Sequence, residues 1–235
     1  MTLKQQLDAF AANFAGQMPT HVVQALQESI DKVSNSGIGE RALKAGDCAP
    51  EFSLPNAGGR QVSLTAQLEK GPIILSFYRG GWCPYCNLEL RAYQAILSDI
   101  RAAGGDLVAI SPQTPDHSIA AAEKNALAFE VLSDHGNQVA TLFGIAYPIP
   151  EIVKSIGAKF DTDLKAINGS DDDRLPISAT YLIARDRRIA LASIEPDFRV
   201  RLEPAEALRA LRSLAGAPDG EQDAHARSTR ASARV

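Results

Sequence analysis

Two cysteines separated by two residues, Cys83-Pro84-Tyr85-Cys86, are the side chains in this chain best suited to chemistry. A thiol of ordinary pKa is mostly protonated at neutral pH, and the thiolate is the nucleophile, so a reactive cysteine needs a local source of positive potential. The residues around the pair supply one. Ile73-Ile74-Leu75-Ser76-Phe77-Tyr78 reads as a buried strand, Gly80-Gly81 breaks it, and Leu88, Leu90, Tyr93, Ile96, Leu97 and Ile100 follow at mostly helical intervals. Cys83 therefore falls at a helix start, where unpaired N–H groups and the helix dipole favour an anion. Arg79, four residues earlier, adds a formal positive charge. Cys86 lies one turn on, so the two sulfurs face each other at a distance a disulfide tolerates. Pro84 suits a first turn, and Trp82 is placed to cover one side of the pair. Strand, tight turn, dithiol and helix is the layout of a redox site.

Competing roles for the pair are weaker. A zinc site needs a second ligand pair, and His21, His117, His135 and His225 are isolated, so no metal is expected. Asp171-Asp172-Asp173 reads as a solvated run, since consecutive residues seldom converge on one ion. Cys48, the third cysteine, is expected to be a small semi-buried residue with no redox partner.

The elements that must hold this site alternate. Gln61–Leu64 is an expected short strand, with Ser63 or Thr65 capping a brief helix to Lys70. Asp106–Ser111 and Glu130–Leu132 are expected strands, with a helix from about Pro115 to Leu127 between them. A short helix spans Asn137–Phe143, Pro148 and Pro150 break the chain before another from Glu151 to about Phe160, and Asn168–Arg174 is a loop. Thr180–Ala184 and Ile189–Ile194 flank the polar Arg185–Arg188 as a hairpin, and Glu203–Leu214 forms a last helix. This is an α/β architecture with a mixed central sheet flanked by helices. Ahead of it, Leu3, Leu7, Phe10 and Phe14 mark one amphipathic helix and Val22 to Val33 a second. This N-terminal helical extension, residues 1–45, covers the main domain, 46–215, or meets a second copy in a homodimer; the covering layer is the simpler reading. Residues 216–235 carry almost no large apolar side chain and are expected to be a disordered tail.

Bulk properties exclude some functions. A net charge of −4 over 235 residues leaves no footprint for nucleic acid. No apolar run approaches the roughly 20 residues that cross a bilayer, and the N-terminus lacks a signal pattern, so a cytoplasmic protein without a membrane partner is expected. Three cysteines do not make a disulfide framework.

From Gly46 to about Leu214 the chain resembles the peroxiredoxin family, the alkyl hydroperoxide reductase/thiol-specific antioxidant branch of the thioredoxin superfamily. Gly46-Asp47-x-Ala49-Pro50-x-Phe52-x-Leu54-Pro55 is similar to the family's entry segment, and Ser111-Pro112-Gln113, Leu132-Ser133-Asp134, Phe143-Gly144-Ile145 and Thr180-Tyr181-Leu182-Ile183 resemble later landmarks. The resemblance implies a thioredoxin-like fold and a peroxidase that needs no cofactor. It would reduce hydrogen peroxide or organic hydroperoxides and be recycled by thioredoxin or a low-molecular-weight thiol. The family's site pattern, Pro-x-x-x-Thr-x-x-Cys with Glu three residues later, is altered. Without gaps, Arg79 takes the Pro position, Cys83 the Thr position, Cys86 that of the peroxidatic Cys, and Glu89 follows. Ser178 stands where the family carries a catalytic Arg; Arg79, Arg174, Arg199 and Arg201 are the substitutes on offer. Cys83 and Cys86 are thus the candidate catalytic residues, with Arg79, Trp82 and Glu89 positioning the substrate. The resemblance favours Cys86 as first nucleophile and the helix terminus favours Cys83. A thiol-disulfide oxidoreductase acting on protein disulfides is the second reading, and a non-catalytic scaffold the third.

Overall fold

The computed structural model describes residues 1–160 and 162–216. Helices α1 (Leu3–Gln17) and α2 (Thr20–Ser34) come first, then a single turn, α3 (Ile38–Arg41). A small hairpin of β1 (Ser53–Pro55) and β2 (Gln61–Ser63) leads into α4 (Leu64–Leu68), with Ser63 Oγ accepting from the Ala66 N–H at its start. The central unit is β3 (Ile73–Phe77), α5 (Pro84–Ala95), α6 (Leu97–Ala102) and β4 (Asp106–Ser111). Next come α7 (Pro115–Lys124), β5 (Glu130–Ser133), α8 (Gln138–Leu142), β6 (Ala146–Pro148), α9 (Glu151–Lys159) and α10 (Leu164–Asn168). The chain closes with β7 (Arg174–Pro176), β8 (Ser178–Ile183), β9 (Ile189–Glu195) and α11 (Pro204–Gly216).

The main sheet has the order β5-β4-β3-β8-β9, with β3 parallel to β4 and antiparallel to β8. All five residues of β3 are buried, as expected of a central strand covered on both faces. Side chains alternate across it. Leu75 and Phe77 join Val108, Ile110 and Tyr181 in one core, whereas Ile74 joins Leu107, Leu182, Leu90, Tyr93 and Leu211 in the other. Asp134, buried at the end of β5, accepts from the N–H groups of Val139 and Ala140, 2.9 Å each, and so caps α8.

The helical pair is bound into this body. Leu3 and Leu7 are buried in the core that also holds Cys83 and Cys86, and each contributes about 1.5–3 kcal/mol relative to exposure. The Leu3 and Lys4 N–H groups donate to the Glu203 carboxylate just before α11, at 3.2 and 2.7 Å. Phe10 meets Tyr85 edge-on, with centroids 5.0 Å apart.

Several expectations need correction. The helix after the cysteines is two helices, because Ile96 leaves helical geometry at φ −113°, ψ 11° and the chain turns there. The helix expected over 115–127 ends at Lys124, with Ala126 at positive φ. Cys48 is exposed, since the entry segment runs along the edge of the fold, bridging to Arg188. Strands β6 and β7 pair antiparallel where proline breaks and a loop were expected; each is only three residues and ends in proline. Helix α10, over residues to which the spacing assigned no element, is capped by Asp163. The expected tail lies, from residue 217 on, outside the described residues.

Candidate active site

The dithiol sits at the carboxyl end of β3. Gly80 has φ +140°, and a Cβ there would stand 2.4 Å from Trp82 Nε1, so only glycine fits. At Gly81 a Cβ would come 2.7 Å from that of Ala121. This turn is pinned by two side chains. The Gly81 N–H donates to Gln113 Oε1 at 2.7 Å, and Asn87 Nδ2 donates to the Gly81 carbonyl at 2.8 Å. Cys83 is the N-cap of α5, Pro84 its first residue, and the Asn87 N–H donates to the Cys83 carbonyl.

Both sulfurs are free thiols, and each has an arginine. Arg79 Nη1 lies 3.9 Å from Cys83 Sγ; Arg201 Nη2 lies 3.5 Å from Cys86 Sγ. The Arg79 guanidinium is sandwiched by aromatics, 4.9 Å from the Trp82 ring centroid and 4.3 Å from that of Phe198. Arg201 Nε donates to Glu89 Oε2 at 2.6 Å, with both side chains buried.

This arrangement separates the two thiols. The Cys86 thiol, directed at the Cys83 sulfur, favours a thiolate there; it outweighs burial, and Arg79 and Arg201 add to it, holding Cys83 well below the ordinary thiol range. Cys86 goes the other way, raised by burial first and then by its neighbour. Burial also pushes Glu89 up to about 7 against the pull of Arg201. Both sulfurs are buried, but their access to a cavity differs in the same sense. Cys83 lines a cavity of about 470 Å³, together with Arg79, Trp82 and Phe198, and Cys86 does not.

Arg79, Trp82, Cys83, Cys86 and Glu89 are thus brought together, in two clusters joined by the sulfur pair. Trp82 packs on Arg79 and lines the cavity. Glu89 accepts from Arg201 Nε beside Cys86 and is not among the residues that line the cavity. Among the four arginines on offer, Arg174 is tied to Asp172 and Arg199 to Asp197 and Gln27, leaving Arg79 and Arg201 at the sulfurs. Phe198 escaped the sequence reading. Only its neighbourhood to the arginine-rich Arg199–Arg201 segment pointed to it.

Residues 45–192 match the model of the AhpC/TSA family, and the chain belongs to that family. Peroxiredoxin Bcp of Escherichia coli is 37% identical over 103 residues, which are 44% of this chain and 65% of that protein. A putative peroxiredoxin of Mycobacterium tuberculosis is 35% identical over 102 residues, 43% of this chain and 64% of its own. The matched stretch thus spans just under two thirds of these relatives. The fold is thioredoxin-like. The crystal structure of peroxidoxin BcpB from Mycobacterium tuberculosis superposes with a TM-score of 0.59 at 22% identity, covering 73% of this chain and 98% of the other. Helices α1 and α2 lie before the family match, and Phe198 and Arg201 after it.

Proposed function

We propose that the chain is a thiol-dependent peroxidase that reduces hydrogen peroxide or organic hydroperoxides through Cys83 and Cys86, with Cys83 as the attacking thiolate. The observation that carries this reading is the asymmetry of the pair: the thiolate-favouring sulfur is the one that lines the cavity. Cys83 S⁻ attacks the terminal oxygen of the peroxide, an S–O bond forms as the O–O bond breaks, and the leaving alkoxide or hydroxide takes a proton. Sulfur is oxidised by two electrons and the peroxide reduced to alcohol or water. Arg79 beside Cys83 holds the thiolate and offers N–H groups to the developing charge. The Cys86 thiol then condenses with the sulfenic acid, releasing water and forming the Cys83–Cys86 disulfide, with Arg201 favouring the Cys86 thiolate as it attacks. A thioredoxin-type dithiol or a low-molecular-weight thiol restores the pair by exchange.

Family membership and the peroxiredoxin relatives support this assignment. Attack on protein disulfides is the second reading; the peroxiredoxin relatives favour the first. A sulfenic acid trap tests the order of events. With peroxide and the trap, Cys86→Ser should label at Cys83, and Cys83→Ser should neither label at Cys86 nor consume peroxide. Labelling of Cys86 in Cys83→Ser, at the rate of Cys83 in the other variant, would reverse the order.

A further inference from the structure

Arg79 is a buried cation held by a single anion. It is 3% exposed, with its guanidinium between the Trp82 and Phe198 rings. Among the described residues no carboxylate pairs with it: Nη1 lies 3.9 Å from the Cys83 sulfur, and Nε has no hydrogen-bond partner. Tyr147 also faces it, but burial keeps that phenol protonated, and the nearby Arg201 has its own counter-charge in Glu89. The Cys83 thiolate is therefore what balances Arg79, and a Cys83–Cys86 disulfide takes that charge away. A buried guanidinium left in this state is destabilising unless another anion replaces the thiolate. Arg79 also lines the cavity of about 470 Å³ at Cys83, a volume that holds a drug-sized molecule. Phe10, Phe14, Val153, Ile156 and Phe160 wall it, and among the described lining residues Arg79 alone carries a fixed charge. One cation in an apolar enclosure fits one negative charge on an apolar body; a phosphate monoester would bring a second charge with no cation to meet it.

We propose that this cavity is a redox-gated site for an apolar monocarboxylate of the fatty-acid class, closed to it while Cys83 is a thiolate and opened when the disulfide frees Arg79. The disulfide itself is that of the peroxidase reading, on which this site rests. The carboxylate takes the place of the thiolate at the Arg79 N–H groups, and the alkyl body displaces water from the aromatic and aliphatic walls. In the reduced protein the same carboxylate would meet the Cys83 thiolate beside its only cation. No covalent bond is made or broken on binding. Linkage runs both ways: an acid that prefers the disulfide form tenfold lowers the reduction potential of the pair by about 30 mV at saturation. A bound fatty acid thus holds the site oxidised and slows its return to the dithiol.

Trp82, the single tryptophan, stacks on Arg79, so its emission reports the site. Octanoate would be titrated into the full chain carrying Cys48→Ser, once with the pair reduced and once after diamide has oxidised it to the disulfide, with equilibrium dialysis as the second readout. Octanol supplies the body without the charge, and acetate the charge without the body. Octanoate should bind the disulfide form roughly tenfold or more tightly than the reduced form, octanol should bind the two alike, and acetate should bind neither measurably. Cys83→Ser removes the thiolate without any oxidant and should bind octanoate as the disulfide form does. Arg79→Met should abolish the difference between the two redox forms. No octanoate binding to the disulfide form, equal affinity in the two forms, or a redox preference that octanol reproduces overturns the site and leaves the peroxidase reading standing. If diamide leaves both thiols free, the disulfide of the peroxidase reading fails, and octanoate binding to Cys83→Ser no tighter than to the reduced protein overturns the carboxylate site on its own.

Discussion

Arg201 reaches back 112 residues to Glu89, placing Nε 2.6 Å from the carboxylate and Nη2 3.5 Å from the Cys86 sulfur. Their side chains are 1% and 2% exposed, so this ion pair has almost no water to fall back on. Its arginine also donates to the Phe198 and Val200 carbonyls, which fixes the segment between β9 and α11 against the site.

Breaking that pair from one side should be costly. Arg201→Ala leaves the Glu89 carboxyl buried without a counter-charge, and a loss of about 3–5 kcal/mol is expected. Replacing both partners, Glu89→Leu with Arg201→Met, should recover most of it. Urea unfolding of the three variants measures this; a single-variant loss below about 1 kcal/mol would contradict the pairing.

The same carboxyl gives stability a pH dependence of definite sign. Glu89, raised to about 7, keeps a proton in the folded state that the unfolded chain has already released. Its contribution is complete below the ordinary carboxylate range and is lost as pH rises towards 7. Cys83 acts oppositely, because its lowered value makes the folded state release a proton that the unfolded chain retains. In Cys83→Ser, stability should therefore fall between about pH 5 and pH 7.5, and the slope should flatten in Cys83→Ser/Glu89→Gln. Denaturation midpoints at the two pH values decide it.

The causes of the Cys83 shift are separable. Cys86→Ala removes the largest of them and Arg79→Met a smaller one, so both should raise the Cys83 pKa, the first by more. Ultraviolet thiolate absorbance followed against pH, with Cys48→Ser as the background, reads both. Equal titration of the wild type and Cys86→Ala would remove the thiol–thiol interaction from the account.

The turn beneath the site tolerates no Cβ. Gly80→Ala combines a φ of +140° with a methyl 2.4 Å from Trp82 Nε1, and a loss of about 2 kcal/mol or more is expected. Trp82 should be displaced with it. A Gly80→Ala protein of wild-type stability and unchanged tryptophan emission would refute this.

What was legible in the sequence was local. β3, the glycine turn, the N-cap position of Cys83 and the proximity of Arg79 are all written within 18 residues, in apolar runs, glycines and helical spacing. The short proline-ended strands β6 and β7 carry too few alternating residues to register as strands, and the break at Ile96 falls inside an apolar stripe that continues across it. Arg201 and Phe198 could not be singled out, because their closeness to the cysteines arises only when β9 returns the chain to the sheet edge. Four arginines looked equivalent; Asp172 and Asp197, two residues before Arg174 and Arg199, hold two of them away. Glu89 follows Cys86 by three residues, but its partner Arg201 lies 112 residues further on, so that contact is not written in the spacing.

The burial of Cys83 has a kinetic meaning. On the proposed reading, oxidation needs only a small molecule entering a standing cavity, but a protein reductant must first gain access to a sulfur roofed by Trp82 and the helices around it. Turnover then has a prompt half and a waiting half. Under steady peroxide the chain would spend most of its time as the disulfide, a reservoir of oxidising equivalents discharged at the pace of its own opening.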